Sequence, residues 1–452
     1  ALRLASNWGV RTNEARVRAI DQRVSHGLEG LKERLITHGL YKTRATKRGK
    51  NAGVLQGSKN ISYLTQLVTK AYNGDPPRTP GGRPSTASDT LEDVADLIPQ
   101  VVDWLEFQGL EKTKTTYIKH AWNGISQPLH PRFDVLKSTG RNSSSEPNLH
   151  NQPRLAGARE CYEARPGFLY LSSDFNSQEM RTWAQVCKII VGWSRLAERF
   201  QTDPDFDPHT AMAAGALLRI PEEQALAMLK LGNEEVEKAR QSAKIANFGL
   251  PGMMGVNGLI GYARGYGQRW AEPLTCPRCA DLNSRDYRTP HNCFANGVRQ
   301  AWRATWPECG PYFNHIKALR GVDENNASIE QLYSGRRRGG MKGTDAANSY
   351  FQGLAADASK AALYEVARRC YSVESSWLYG CRPVALIHDE ILMEVSEDYA
   401  HEAAQELVEV MEMVQNHYTP DVPARASASL MHFWAKKAKP KHDERGRLIP
   451  WN

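Results

Sequence analysis

Apolar residues recur every three or four positions in several stretches of this chain, which is the spacing of amphipathic helices. The clearest stretch covers residues 14–40, with Asn13 as the candidate N-cap, and its apolar positions are Val17, Ile20, Val24, Leu28, Leu31 and Leu35. The same spacing predicts helices over 95–125, 178–190, 352–369 and 400–416, with a mostly helical region from 203 to about 320. Residues 41–60 are polar and basic and predict an exposed loop, while residues 74–90 predict turns.

Two short apolar runs predict buried strands instead of helices. Residues 168–175 predict a strand that presents Asp174 at its end. The runs VALI and ILMEV flank His388 and Asp389, so they predict a hairpin with Asp389 at its tip. Separated strands among long helices indicate the α+β class.

Composition and charge narrow the class of protein. The chain has 452 residues, 41% of them hydrophobic and 24% charged, which is typical of a soluble globular protein with room for about three lobes. It contains no apolar run long enough to span a membrane, and its start lacks the layout of a secretion signal. The net charge of +8 suits a polyanionic partner, although a merely basic soluble protein has the same charge. Eight scattered cysteines fit reduced thiols and a cytoplasmic location.

Asp174 and Asp389 are candidate metal ligands. Phosphoryl transfer needs positioning and charge neutralisation, which two Mg²⁺ ions bridged by carboxylates from different strands supply. Two aspartates suffice when substrate phosphates and water complete the coordination. Taken alone, either aspartate is better explained as a turn or cap residue, and only the pair together with the helix at 240–248 favours a metal site.

Arg240, Lys244 and Phe248 are spaced by four and therefore share one face of a helix. Arg and Lys on such a face can bind a triphosphate, and Phe248 can face a sugar or base. His209, in DPHTAMAA, is a candidate further donor to the phosphates. The alternative is an ordinary amphipathic helix with a cationic face.

Three segments resemble the motifs A, B and C of the family A DNA polymerases: DFNSQEMR (174–181), RQSAKIANFG (240–249) and HDE (388–390). Further similar segments are TPGGRPST (79–86), TGRNSSSEPNLHNQP (139–153) and AANSYFQGLAAD (346–357), so the resemblance covers nearly the whole chain. It implies a right-hand fold with a helical thumb (1–105), an antiparallel-sheet palm (106–200 and 346–452) and helical fingers (201–345). The fingers would contain a cysteine-bearing insertion at about 270–310. The compactness favours a viral replicase acting in a bacterial host.

The resemblance implies a DNA-directed DNA polymerase that uses dNTPs and two Mg²⁺ ions, with Mn²⁺ as an alternative metal. Asp174 and Asp389 match the metal aspartates. The residues that match the triphosphate site are Arg240, Lys244 and His209, with Lys244 as the candidate proton donor to the leaving pyrophosphate. Glu179 matches the steric gate against a ribose 2′-hydroxyl, and Phe248 matches the residue that packs on the sugar.

The resemblance also implies contacts with primer–template DNA. The matching positions are Arg141, Asn348, Gln352 and His388. Two residues depart from the family pattern: Gly252 stands where a tyrosine is frequent, and Thr344 where an arginine is frequent. Lys112, Lys114 and the basic stretches 43–50 and 336–338 are candidate contacts to backbone phosphates, or else solvated surface.

The cysteine-bearing segment that begins with CPRC (276–279) has two interpretations. Four of the five groups Cys276, Cys279, His291, Cys293 and Cys309 could ligate a structural zinc ion, or these thiols could be free. No paired-carboxylate nuclease motif precedes the thumb-like helices, so we expect no 3′→5′ proofreading in this chain. A separate exonuclease or processivity factor would then be a partner of an otherwise monomeric enzyme.

Two other functions remain open from the sequence. A single-subunit RNA polymerase shares the palm architecture, but Glu179 argues against it because an RNA-making enzyme must admit the 2′-hydroxyl. A non-catalytic DNA-binding accessory protein would not need all of Asp174, Asp389, Arg240 and Lys244.

Overall fold

A six-stranded sheet positions the candidate chemistry. In the order of pairing its strands are Arg382–Ile387, Glu390–Ser396, Phe168–Phe175, Ala426–Met431, Leu448–Trp451 and Lys441–His442. Neighbouring strands run antiparallel except Ala426–Met431 and Leu448–Trp451, which are parallel. This computed structural model describes residues 1–45, 55–95, 97–153, 155, 157–268, 270, 294–319 and 326–451. The α+β class predicted from the sequence is confirmed.

The described chain divides into two units, the larger formed by residues 1–10, 130–151 and 163–452 and the smaller by residues 11–129 and 152–162. The helices of the larger unit are Leu2–Trp8, Gln178–Val191, Arg195–Thr202, Pro208–Met212, Ala213–Leu218 (π), Glu222–Lys230, Glu234–Gly249, Leu250–Gly252 (3₁₀), Val256–Gly265, Phe294–Thr305, Cys309–Ala318, Gly343–Ser372, Glu397–Tyr399 (3₁₀) and Ala400–Tyr418. Its further strands are Arg132–Asp134, Ser143–Ser145, Ala327–Glu330 and Arg337–Met341.

The two faces of the sheet differ in character because successive side chains of a strand point to opposite sides. One face buries Leu169, Leu171, Phe175, Ile391 and Met393 in a cluster that includes residues of the helices Gly343–Ser372 and Ala400–Tyr418. The alternate positions on the same two strands bring Asp174, Glu390 and Glu394 to the other face. This alternation leaves the acidic residues on the face without the apolar cluster.

The helix Gly343–Ser372 begins nine residues before the predicted start at 352. Its first turns bury Ala346 and Ala347, two small side chains whose apolar pattern is too weak to mark a helix from the sequence. As a result, Asn348 and Gln352 lie one turn apart on the same helix. The predicted helix contained Gln352 but not Asn348.

The smaller unit is built from the helices Glu14–Thr37, Ile61–Ala71, Ser88–Val94, Pro99–Lys112, Thr113–Ile118 (π) and Lys119–Asn123. The predicted N-cap is confirmed, since Asn13 Oδ1 accepts a hydrogen bond of 3.1 Å from Arg16 N. The predicted loop at 41–60 is wrong for its described ends, where strands Tyr41–Ala45 and Leu55–Lys59 pair antiparallel. Backbone pairing needs no apolar stripe, which is why this polar hairpin gave no signal. The short strand Arg11–Thr12 also lies in this unit, and the short strand Tyr162–Glu163 begins with its last residue.

None of the helices in the described ranges is both long and apolar enough to cross a membrane.

Candidate active site

Two neighbouring strands bring the predicted metal aspartates together. Asp174, near the end of Phe168–Phe175, is directly paired with Glu390 on the adjacent strand. Asp389 immediately precedes Glu390, and its carbonyl oxygen accepts a hydrogen bond of 3.4 Å from Phe175 N. The two-residue turn between Ile387 and Glu390 is made possible by His388, which has a φ of 60°. The predicted hairpin with Asp389 at its tip is therefore confirmed.

Glu390 adds a third carboxylate beside the two aspartates, and Lys436, to which sequence reasoning assigned no role, lies next to two of the three carboxylates. Glu390 is almost fully buried and accepts hydrogen bonds from Ser172 Oγ (2.7 Å) and Trp434 Nε1 (3.2 Å). Lys436 Nζ lies 3.9 Å from both Asp174 Oδ2 and Glu390 Oε2. Because both carboxylate oxygens lie within 3.9 Å of the same lysine nitrogen, the Asp174 and Glu390 carboxylates are close to each other.

The electrostatics of Asp389 fit a site that receives a cation. Burial raises the pKa of its carboxyl to about 6, and the negative charges of Glu179 and Glu390 act in the same direction against the opposing Lys436. Among the residues that the structure describes, no three side chains form a complete metal cage. Carboxylate oxygens that leave positions for water and phosphates are the donor set that Mg²⁺ prefers, so the residues fit this metal.

The predicted cationic face lies on the helix Glu234–Gly249, which is capped by Asn233 Oδ1 accepting from Val236 N at 3.1 Å. Arg240 Nε donates to Asp207 Oδ2 (2.9 Å) and Thr210 Oγ1 (3.1 Å), which fixes the plane of the guanidinium. Asp207 was missed from the sequence, although an Asp-Pro pair is a helix-start signal that could have found it.

Lys244 connects this helix electrostatically to the carboxylates. Burial lowers the pKa of its ammonium group, and the positive charges of Arg240 and Lys436 lower the pKa further, against Asp207 and Asp389. Its Nζ lies 5.8 Å from the centre of the Phe248 ring. A lysine whose proton is held less tightly than usual is suited to donate it to a leaving group.

His209 lies beside Phe248, with their ring centres 5.5 Å apart. It is buried, and its Nδ1 lies 2.9 Å from Asn247 Nδ2. Burial lowers the pKa of His209 to about 4, with Arg240 and Lys244 adding to the effect and Asp207 opposing it. The structure thus brings His209, Arg240, Lys244 and Phe248 into one cluster, with a histidine that is neutral at pH 7.

Glu179 forms an ion pair with Arg141, the arginine for which the resemblance implied a contact with DNA. The Glu179 side chain is 18% exposed, so the pair holds its carboxylate in a defined position. Tyr262 was also missed. Burial raises the pKa of its hydroxyl, and the charge of Glu179 contributes in the same direction.

Gly252 and Asn348 are in close contact. A Cβ atom added at Gly252 would lie 2.2 Å from Asn348 Oδ1 and 2.5 Å from its Cγ. Asn348 Nδ2 also donates to the carbonyl oxygen of Thr344 at 3.1 Å. The two departures from the family pattern, Gly252 and Thr344, are therefore both neighbours of Asn348. Gln352 is half-buried on the same helix, and the His388 ring packs edge-on against His150 at 5.5 Å.

The side chains predicted to contact backbone phosphates differ in whether they are exposed or bound to other protein groups. Lys112 is exposed, whereas Lys114 Nζ lies 3.2 Å from Asp21 Oδ1. Arg336 and Arg337 pair with Asp357 (3.5 Å) and Glu330 (2.9 Å). Arg338 bonds Ser349 Oγ.

The zinc hypothesis falls mainly outside the described residues, because Cys276, Cys279, His291 and Cys293 all do so. The fifth candidate, Cys309, is buried at the start of the helix Cys309–Ala318 within the main hydrophobic cluster. Burial raises the pKa of its thiol to about 11. The hypothesis stays a prediction.

Comparison with known proteins now places this site in a family. The family described as DNA polymerase family A matches residues 47–264 and 317–436, which is most of the chain. The chain belongs to this family.

Individual relatives agree with the assignment. DNA polymerase I of Aquifex aeolicus is 26% identical over 380 residues, covering 82% of this chain and 57% of the relative. The thermostable DNA polymerase I of Thermus filiformis is 28% identical over 370 residues, covering 78% of this chain and 38% of the relative. The chain therefore spans between about two fifths and three fifths of their length. These relatives are bacterial, and the expected viral origin has no support among them.

A solved structure has the same fold. It is the POL domain of Pol1 from M. smegmatis in complex with DNA primer-template and dNTP, with a TM-score of 0.67 and 19% sequence identity. The match covers 95% of this chain and 68% of that chain.

Proposed function

We propose that this chain is a template-directed DNA polymerase that adds deoxynucleotides to a primer 3′ end by two-metal nucleotidyl transfer. The observation that carries the proposal is the pairing of adjacent strands that puts Asp174 beside Asp389 and Glu390, with the charge of Asp389 acting on Lys244 of the cationic helix. Family membership and the nucleic acid and dNTP in the similar solved structure support it.

In this mechanism Asp174 and Asp389 would hold two Mg²⁺ ions, which would lower the pKa of the primer 3′-hydroxyl and neutralise charge on the phosphates. Arg240 binds the triphosphate through its terminal nitrogens while Asp207 holds its Nε. Lys244 donates a proton to the departing pyrophosphate, and its lowered pKa favours that transfer.

Two side chains select the sugar. Phe248 packs on the deoxyribose, and its contact with the His209 ring keeps it in place. Glu179 leaves no room for a 2′-hydroxyl, and its ion pair with Arg141 holds the carboxylate where it blocks that position. Arg141 then acts on nucleotide choice through Glu179, in addition to any contact with DNA.

We assign the lobes as the resemblance implies. The six-stranded sheet forms the palm, and the helices between residues 201 and 345 form the fingers. The thumb is assigned to residues 1–105, of which residues 1–10 belong to the larger unit and the remainder to the smaller one.

Primer extension with Mg²⁺ tests the proposal. Asp174→Ala should lower the rate at least about a hundredfold, because a metal contributes several kcal/mol of charge stabilisation and each 1.36 kcal/mol is a factor of ten. Glu374→Ala removes an exposed carboxylate elsewhere and should leave the rate unchanged.

The same assay separates the rival functions. Extension with ribonucleotides at rates equal to deoxynucleotides would support an RNA polymerase instead. Tight DNA binding without extension by the wild-type protein would support the non-catalytic accessory protein.

A further inference from the structure

Asn247 lies at the centre of a buried hydrogen-bond network that joins three parts of the larger unit. Its Oδ1 accepts from Trp302 Nε1 (3.0 Å) and Trp306 Nε1 (3.1 Å). Its Nδ2 donates to the carbonyl oxygen of Pro208 (3.2 Å) and contacts His209 Nδ1 (2.9 Å). Asn247 is 1% exposed, so these four contacts replace water for all of its hydrogen-bonding positions.

The two tryptophans decide which way the amide of Asn247 points. An indole N–H can only donate, so the amide atom that faces both indoles must be the oxygen. The amide nitrogen then faces the backbone of Pro208 and the ring of His209. Rotating the amide by half a turn would leave both buried indole donors against N–H groups, which is costly.

The orientation of the amide in turn decides the protonation of His209. Because Asn247 Nδ2 can only donate, His209 Nδ1 must accept, and the single ring proton is on Nε2. The charges around the ring agree with a neutral imidazole, since burial, Arg240 and Lys244 outweigh Asp207 and bring the pKa to about 4.

We propose that Asn247 is a positioning residue that, held by Trp302 and Trp306, fixes the Nε2–H tautomer of His209 and so presents a neutral N–H donor to the incoming triphosphate. The inference rests on the proposed function, because the triphosphate site is itself part of that proposal. A neutral donor adds a hydrogen bond beside Arg240 and Lys244 without a third mutually repelling cation. It also keeps this contact constant throughout the pH range 6–9.

The matched perturbation is Asn247→Asp, which keeps an acceptor for both tryptophans and replaces the Nδ2 donor by a second acceptor. His209 Nδ1 must then carry a proton, and the new carboxylate favours the imidazolium form. Once that form loses its extra proton on raising the pH, Nε2 has only a lone pair to offer the triphosphate. We expect the KM for dNTP to rise about tenfold between pH 6 and 8.5, as for loss of a charge-assisted hydrogen bond, with a smaller change in kcat. In the wild-type protein, titration of His209 should cause no such rise in the KM for dNTP over this pH range.

The tautomer itself is measured without catalysis, by long-range ¹H–¹⁵N NMR of the histidine rings in the free wild-type protein, with His209→Gln to assign the signals. The expected spectrum shows a protonated Nε2 and an unprotonated Nδ1. Ser242→Ala is the matched control. Ser242 lies on the same helix as Asn247, and its Oγ accepts a hydrogen bond from another buried indole, Trp270 Nε1, at 3.2 Å. It should change neither the His209 spectrum nor the pH dependence of the KM.

A spectrum of the wild-type protein with a protonated Nδ1 on His209 would overturn the inference. The expected spectrum together with a pH-independent KM in Asn247→Asp would also overturn the positioning role, while leaving the proposed function standing. A wild-type protein that extends no primer would overturn both proposals, and the primer-extension assay alone would reveal it.

Discussion

Substitution of Gly252 by alanine should destabilise the protein through one neighbour, Asn348. The added Cβ would lie 2.2 Å from Asn348 Oδ1 and 2.5 Å from both Cγ and Nδ2. Ordinary contacts of carbon atoms begin at about 3.5 Å, so the Asn348 side chain has to leave its position. Gly252 does not have a positive φ, and alanine therefore meets no backbone strain there.

The magnitude follows from three effects. Overpacking of this kind costs about 1–3 kcal/mol, and displacing Asn348 breaks its hydrogen bond to Thr344, worth about 1 kcal/mol or less at a partly exposed site. Alanine gains about 0.4–1 kcal/mol by restricting the unfolded chain. We expect a net loss of about 1–3 kcal/mol for Gly252→Ala. In an Asn348→Ala background the obstacle is gone, and the same change should instead stabilise by up to about 1 kcal/mol.

Urea unfolding of the wild type, both single variants and the double variant measures this coupling as a double-mutant cycle. Gly261→Ala is the control, because a Cβ there has no neighbour within 4 Å and the position lies inside the helix Val256–Gly265. It should stabilise by about 0.5–1 kcal/mol. Equal effects of Gly252→Ala in both backgrounds would refute the steric reasoning.

Three further predictions test the site and its support. Burial raises the pKa of Asp389 to about 6, so a proton competes with the metal below that pH. Mn²⁺ binding followed by EPR should weaken about fivefold as the pH falls from 6 to 5, and a constant affinity from pH 5 to 8 would contradict this. Glu179→Ala should raise the ratio of ribonucleotide to deoxynucleotide insertion in primer extension, and an unchanged ratio would contradict the gate. Arg165→Met removes the 2.7 Å ion pair of the fully buried Glu394 and should lower the free energy of unfolding by about 3–5 kcal/mol, whereas Arg165→Met with Glu394→Gln should lose less; equal losses would rule out an uncompensated charge as the cause.

The parts of the fold that sequence reasoning predicted correctly depend on residues close together in the chain. The helix Glu14–Thr37 with its Asn13 cap, the hairpin that carries Asp389 and the stripe of Arg240, Lys244 and Phe248 all follow from local periodicity. Sequence reasoning did not predict the early start of the helix Gly343–Ser372, because alanines give a weak apolar pattern. Sequence reasoning also did not predict the polar hairpin that begins at Tyr41, because its register is held by backbone hydrogen bonds.

The amino-acid sequence by itself therefore determined the residue types of the site and the elements that carry them, because helix and strand periodicity act over a few positions. Only the tertiary structure decided which side chains meet. Arg141 contacts Glu179 from 38 residues away, and Trp302 and Trp306 reach Asn247 from 55 and 59 residues away. Such contacts have no local pattern, since they arise when packing of the apolar core brings distant segments together and buried polar groups then take the partners within reach.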